Sequence, residues 1–300
     1  MSQQLQNIFK VPRPAIIAGP CAAESREQLL DTAHALAGVK GLLAFRAGLW
    51  KPRTRPGDFE GVGEKGLEWL KAVKEETGLR LAVEIISPQH AEDCLKAGVD
   101  IVWIGARTVV NPFMVDELAA ALQGSDAFVM IKNPLNPDPG LWVGGIERLL
   151  NQGLSKLAAV HRGFDAYYCK PYRNLPLWEI PIEIKNRFPE LPVFCDPSHI
   201  GGRRELIPSI SQKALDLGMD GLMIESHIDP ENALTDISQQ LAPSDLSNII
   251  AQLVLKEHGK ADAFLEKYRT SIDELDDHLL EILSKRMYIS ERIGEIKKEQ

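Results

Sequence analysis

The chain of 300 residues is poor in cysteine, with only Cys21, Cys94, Cys169 and Cys195, and none of them forms a C-x-x-C pair. A chain of this size does not depend on disulfide staples, so the composition points to a reducing, cytoplasmic setting. The sequence has no charged-then-apolar leader at its start. Nor does any apolar run approach the roughly 18 residues expected of a membrane span, which excludes a helical membrane protein. A basic excess is missing as well. The net charge is −8, which disfavours nucleic acid as a partner. That acidic balance would not draw in an anionic substrate either, so any such attraction must come from a local cluster of cations. Low-complexity tracts are absent, and the only repeat is an alternation of short apolar and helical segments.

Apolar residues make up 44% of the chain and charged residues 25%, as in ordinary globular proteins. Short runs rich in Val, Ile, Leu and Ala occur at 14–20, 42–47, 81–86, 101–106, 128–132, 157–162, 192–196 and 221–225. They are continuous rather than alternating, as expected of strands covered on both sides. Helical patterns separate them. Ser25 caps one through Ala37, and others run from Glu64 to Glu76, from His90 to Ala97 and from Pro112 to Leu122. Gly140–Leu150, Trp178–Phe188 and Arg203–Leu217 continue the alternation. Repeated βα units with parallel crossovers predict an α/β fold, a (β/α)8 TIM barrel over residues 1–255, a size close to the roughly 250 residues such barrels use. Residues 231–241 and 244–255 are expected to be its closing helices. Residues 256–262 are polar, contain Gly259 and are expected to form a linker.

From Ala263 to Gln300 the pattern is heptad-like, with Leu265, Tyr268, Ile272, Leu275, Leu279, Ile282, Ile289, Ile293 and Ile296 at spacings of three and four. A helix of that length, roughly 50 Å, cannot bury its stripe alone. It needs a partner helix, and the expectation is a homo-oligomer. Arg286 interrupts the seam, which suits a docking helix with one polar residue that sets specificity.

In a closed barrel the seventh, eighth and first strands are neighbours. Cys21 after strand one, His199 after strand seven, Glu225 at the end of strand eight and Asp236 beyond it can therefore meet. Thiolate, imidazole and two carboxylates suit a divalent ion such as Mn, Fe, Co or Zn, without selecting one. Taken singly, Cys21 also fits a small core residue, and His199 a loop-capping histidine. Arg46, Lys51, Arg53, Arg107, Lys132 and Arg162 sit at the C-terminal ends of strands two, four, five and six. Cations placed there are costly without paired anions, so six on one rim imply one or two phosphorylated substrates.

Together these segments resemble 3-deoxy-D-arabino-heptulosonate 7-phosphate (DAHP) synthase. The segments are Gly19-Pro-Cys-Ala-Ala-Glu-Ser25, Lys51-Pro-Arg-Thr54, Ile104-Gly-Ala-Arg107, Ile131-Lys-Asn133, Arg162-Gly163, Asp196-Pro-Ser-His199 and Ile224-Glu-Ser-His227, with Leu234-Thr-Asp236 and Gln239-Gln240. The resemblance implies a metal-dependent, aldol-like condensation of phosphoenolpyruvate (PEP) with erythrose 4-phosphate. It implies Cys21, His199, Glu225 and Asp236 as metal ligands, and Arg107, Lys132 and Arg162 as PEP anchors. Arg46 and Lys51 would lie near the PEP carboxylate and phosphate, and Arg53 and Thr54 would contact erythrose 4-phosphate. Glu84 and Lys51 are the candidates for activating water. A related synthase, which uses arabinose 5-phosphate to make 3-deoxy-octulosonate 8-phosphate, carries Lys-Ala-Asn-Arg in place of Lys-Pro-Arg-Thr, so Pro52-Arg53 favours the four-carbon sugar. A barrel that only senses sugar phosphates is the alternative from another class. Ala22 and His161 depart from the commoner family pattern.

The C-terminal segment resembles the first helix of the all-helical chorismate mutases through Tyr268-Arg269, Ile272-Asp273, Leu275-Asp276, Leu279-Leu280, Leu283, Arg286-Met287 and Ile293-Gly294 with Lys297. The resemblance implies that Arg269, Arg286 and Lys297 match chorismate-binding positions of an incomplete site. No mutase turnover is expected of this chain.

Overall fold

The computed structural model describes residues 9, 12–52, 57–255 and 261–298, and within the last stretch the side chains of 275, 276 and 278–297. It separates into two compact units, 1–255 and 256–300.

The first unit is a closed barrel of eight parallel strands in sequence order. The strands are β1 (Ala15–Gly19), β2 (Leu42–Ala47), β3 (Leu81–Ile85), β4 (Ile101–Ile104), β5 (Phe128–Lys132), β6 (Leu157–His161), β7 (Val193–Cys195) and β8 (Gly221–Glu225). The helices are α1 (Arg26–Leu36), α2 (Lys65–Thr77), α3 (Pro88–Lys96), α4 (Pro112–Leu122), α5 (Pro139–Asn151), α6 (Glu179–Arg187), the short α7 (Pro197–Gly201), α8 (Ile207–Asp216) and α9 (Pro243–Gln252). Their starts follow from local chemistry. Ser25, Ser87, Asn111, Asp138 and Asp196 each accept a first-turn N–H through the side chain, and proline stands in the first turn after the last four.

Two differences from the sequence reading have physical causes. Segment 231–241 is not a helix. A short 3-10 turn covers Pro230–Asn232, Asp236 adopts a left-handed φ of 50°, and Leu241 bridges to Ser226. Its polar residues turn inward to the site instead of continuing a helical face. The Arg203–Leu217 pattern breaks into a 3-10 turn (Arg204–Leu206) and α8, because Pro208 fits only a first helical turn.

Side chains on a strand alternate between faces. One set, which includes Ile16, Ala18, Phe45, Val83, Val102, Ile131 and Val193, packs under the helices. The other, which includes Ile17, Ala44, Ala82, Trp103, Met130, Val160, Phe194 and Met223, fills the barrel interior. Two residues further along the interior series come Gly19, Arg46, Glu84, Gly105, Lys132, Arg162, Asp196 and Glu225. The apolar stack therefore ends in a polar layer at the C-terminal rim. The register Gly19↔Glu225 closes the barrel and brings Cys21 beside β8. Gly19 has a φ of 147°, and a Cβ there would lie 2.1 Å from the carbonyl oxygen of Arg46, so the β1–β2 approach requires glycine.

His161 at the end of β6 is fully buried among the rings of Trp142, Phe164 and Trp178. Burial, with Arg162 adjacent, pushes its pKa down to about 3. The folded state holds it neutral, whereas the unfolded chain protonates it near 6.5. Its contribution is complete above about 6.5 and is lost as pH falls toward 3. We expect His161→Phe to flatten this limb of the stability curve, measured by denaturant melts between those pH values. An unchanged limb would refute the assignment.

The second unit contains one helix, α10 (Ala261–Lys298). On it Leu275, Leu279, Ile282, Ile289, Ile293 and Ile296 are exposed. No helix among the described residues is long and apolar enough to cross a membrane.

Candidate active site at the C-terminal rim

The donors converge from both sides of the barrel seam. Ligand atoms of Cys21, Glu225 and Asp236 all lie within 4.8 Å of one another. Cys21 Sγ is 3.1 Å from Asp236 Oδ2 and 3.1 Å from Lys51 Nζ. The Cys21 backbone N–H donates to Gln240 Oε1 at 2.8 Å, which fixes the residue after β1. Glu225 is fully buried. Its Oε1 pairs with Arg46 Nη2 at 3.2 Å and its Oε2 accepts from Gln239 Nε2 at 2.6 Å. His199, on α7, stands at the edge of this group, with Nε2 3.8 Å from Glu225 Oε1. Its Nδ1 lies 2.8 Å from Asp196 Oδ2, while Asp196 Oδ1 caps α7 through the His199 N–H.

The electrostatics follow from burial. The Cys21 thiol is pushed up to about 12 by desolvation and by the Glu225 carboxylate. Burial also penalises the Asp196 carboxylate, but His199 and Lys132 outweigh it and hold Asp196 well below the usual carboxylate range. Asp236 likewise stays below that range, with His199 and Arg173 prevailing over desolvation. A buried thiol beside two carboxylates keeps its proton unless a strong local charge intervenes, and a divalent ion is such a charge. Sulfur, imidazole nitrogen and carboxylate oxygen form a borderline donor set, and the Asp196–His199 contact is the outer-shell partner that metal-binding histidines need. The residues present therefore fit a divalent ion.

Next to them lies a cavity of about 310 Å³ lined by Lys51, Glu84, Arg107, Lys132, Arg162, Arg173, His199 and Asp236, among others. Lys132 Nζ is 2.8 Å from Asp196 Oδ2. Arg162 donates to Asn174 Oδ1 at 2.8 Å, and burial, with Arg173 and Arg107 nearby, lowers its pKa to about 10. Glu84 reaches the cavity past Gly105, where an added Cβ would lie 2.0 Å from Glu84 Oε1.

Of the residues singled out in the sequence, Lys51, Glu84, Arg107, Lys132 and Arg162 line the cavity together with His199 and Asp236. Arg46 does not. It lies below, 1% exposed, between Glu225 and the ring of Trp103 at 5.0 Å. Arg53 and Thr54 lie outside the described residues, as does the side chain of Arg269. Arg286 and Lys297 lie on α10, in the other unit. Sequence reasoning missed Asn174 and Arg173, and it gave Asp196, Gln239 and Gln240, present in its motifs, no role of their own. Asp196 had a readable signal, since an Asp before Pro at a strand end marks a helix cap.

Residues 8–260 match the model of the DAHP synthetase I family, and the chain belongs to that family. Residues 268–300 match the chorismate mutase type II model. The chain is 34% identical over 226 residues to the phospho-2-dehydro-3-deoxyheptonate aldolase of Thermotoga maritima, an alignment covering 75% of this chain and 64% of that protein, a little under two thirds. It is 30% identical over 237 residues to the 2-dehydro-3-deoxyphosphooctonate aldolase of Nitratidesulfovibrio vulgaris, covering 75% and 85% of the two chains. The crystal structure of the Thermotoga maritima DAHP synthase superposes with a TM-score of 0.71 at 31% identity, covering 79% of this chain and 67% of that one.

Asp196 is the anion shared by Lys132 and His199. Replacing it with Asn leaves Lys132 buried without its counter-charge, a loss of roughly 3–5 kcal/mol. We expect Asp196→Asn to lower the urea midpoint accordingly with an unchanged slope. A change below about 1 kcal/mol would show that the pair is solvent-compensated.

Proposed function

We propose that this chain condenses PEP with erythrose 4-phosphate to give DAHP and inorganic phosphate, in a reaction that depends on a divalent ion. The observation that carries this reading is one cavity with two unlike walls. Lys51, Arg107, Lys132 and Arg162 form a cationic side, and His199 and Asp236 lead into the donor cluster with Cys21 and Glu225.

The cations hold the phosphate and carboxylate of PEP. Arg162 is braced by Asn174, and Lys132 is braced by Asp196, so both are fixed before substrate arrives. A divalent ion, when bound by Cys21, His199, Glu225 and Asp236, supplies Lewis-acid polarisation of the aldehyde. Carbon 3 of PEP then forms a bond to the aldehyde carbon, and the aldehyde oxygen takes up a proton. Water adds to the positive charge developing at PEP carbon 2 and loses one proton, which balances the one taken up by the aldehyde oxygen. The tetrahedral adduct then expels phosphate by C–O cleavage as its new hydroxyl gives the second proton to the leaving phosphate and becomes the ketone. Lys51 can give a proton and the Glu84 carboxylate can take one. In this reading Arg53 and Thr54 hold the phosphate of the four-carbon sugar. Arg46 acts from beneath by anchoring Glu225.

The exposed stripe of α10 supports packing against a helix of a second copy. Arg269, Arg286 and Lys297 would contribute to a chorismate pocket there.

The test is PEP consumption by the full chain with erythrose 4-phosphate and with arabinose 5-phosphate, with and without chelator. We expect turnover with the former, its loss on chelation and its return with added Mn(II). Removing one charged contact is worth about 1.5–3 kcal/mol, so Arg107→Ala should lower kcat/KM by roughly 10- to 100-fold. Equal rates on both sugars would sink the substrate assignment, and turnover indifferent to chelator would sink the metal.

A further inference from the structure

Arg173 belongs to none of the motifs read from the sequence, yet one of its nitrogens holds one donor carboxylate directly and a second through a glutamine. Its Nη1 donates to Asp236 Oδ1 at 2.9 Å and to Gln239 Oε1 at 2.6 Å. Gln239 passes the constraint on, since its Nε2 donates to Glu225 Oε2 at 2.6 Å. The other Asp236 oxygen, Oδ2, is the one 3.1 Å from Cys21 Sγ. One carboxylate edge is thus occupied by arginine while the opposite edge faces the cluster.

Arg173 is itself fixed. It lies in the segment between β6 and α6, and its backbone N–H donates to the Ile200 carbonyl at 3.0 Å. Its stem lies over Gly202, where an added Cβ would come 2.5 Å from Arg173 Cβ. The neighbouring Asn174 Nδ2 donates to the His199 carbonyl at 2.6 Å. Asp236 needs such a clamp, because it is a non-glycine residue at a φ of 50° in a segment without regular structure.

We propose that Arg173 is the positioning residue of the metal site: it aims Asp236 and, through Gln239, Glu225 at the point where Cys21 converges, so the site is assembled before an ion arrives. This rests on the reading of the cluster as a divalent-ion site. Simple electrostatics predicts the opposite mutational effect. A guanidinium beside a dication repels it, so deleting the charge should tighten metal binding. Deleting an orienting outer-shell partner weakens it, typically by 10- to 100-fold.

The experiment is a Co(II) titration of the full chain, followed by the cobalt–thiolate charge-transfer absorption that reports Cys21 ligation, with chelator competition to set the affinity. Arg173→Met should require about 10- to 100-fold more free Co(II). Arg173→Lys, which keeps the charge but whose shorter side chain stops short of the Nη1 position between Asp236 and Gln239, should fall between it and the parent chain. Melting curves of the ion-free variants check that the barrel is intact. If Arg173→Met does not fold, Arg173→Lys decides by the same readout. Unchanged or tighter binding in the variants, with normal binding by the parent, overturns the role of Arg173 alone. Absence of the absorption in the parent chain overturns the metal reading itself and this inference with it.

Discussion

The two-residue alternation of eight parallel strands is the constraint on which everything else rests. It sorts each strand into an outer row packed under helices and an inner row that stacks Ala, Ile, Trp, Phe and Met through the barrel. The same alternation delivers Arg46, Glu84, Lys132, Arg162, Asp196 and Glu225 to the interior at one level. A slip of one residue in any strand would send its charge under a helix and an apolar side chain into the site. Packing energy therefore enforces the site's geometry.

That polar layer is a set of compensated charges rather than a free cluster of cations. Arg46 meets Glu225, and Lys132 meets Asp196. The ring of Trp103 lies 5.0 Å from the Arg46 guanidinium and 5.8 Å from Lys132 Nζ, an arrangement that lets cations sit on an apolar floor. Each of these pairs removes one buried charge's need for water. Arg162, whose partner is the neutral amide of Asn174, is the one whose pKa burial depresses to about 10. An arriving anion relieves that penalty most directly.

Most of the barrel was legible because its signals are local. Strand ends match to within about two residues, and Ser25, Pro112 and Gly78 mark helix ends where capping physics requires them. The meeting of Cys21 with Glu225 and Asp236 was legible only through topology, since nothing local encodes a contact across a sequence separation of 215. What escaped has a physical reason in each case. Segment 231–241 has helix-like spacing of Leu234, Ile237 and Leu241, but Gln239 and Gln240 spend their side chains on Glu225 and Cys21. Arg173 lies in an aperiodic segment, where no pattern separates a clamp from a solvated arginine. Arg46 stands at the end of β2, where its position suggests a rim cation facing substrate, but its partner, Glu225, comes from 179 residues away and holds it below the cavity.

Trp103, fully buried, also seals the shaft beneath the site. The barrel interior below it is packed with Ile101, Phe128 and Phe194, so among the described residues the cavity has no rear exit. Traffic of small molecules is thereby confined to the loop side of the barrel, where the cavity is lined by Lys51, Arg107 and Asp236.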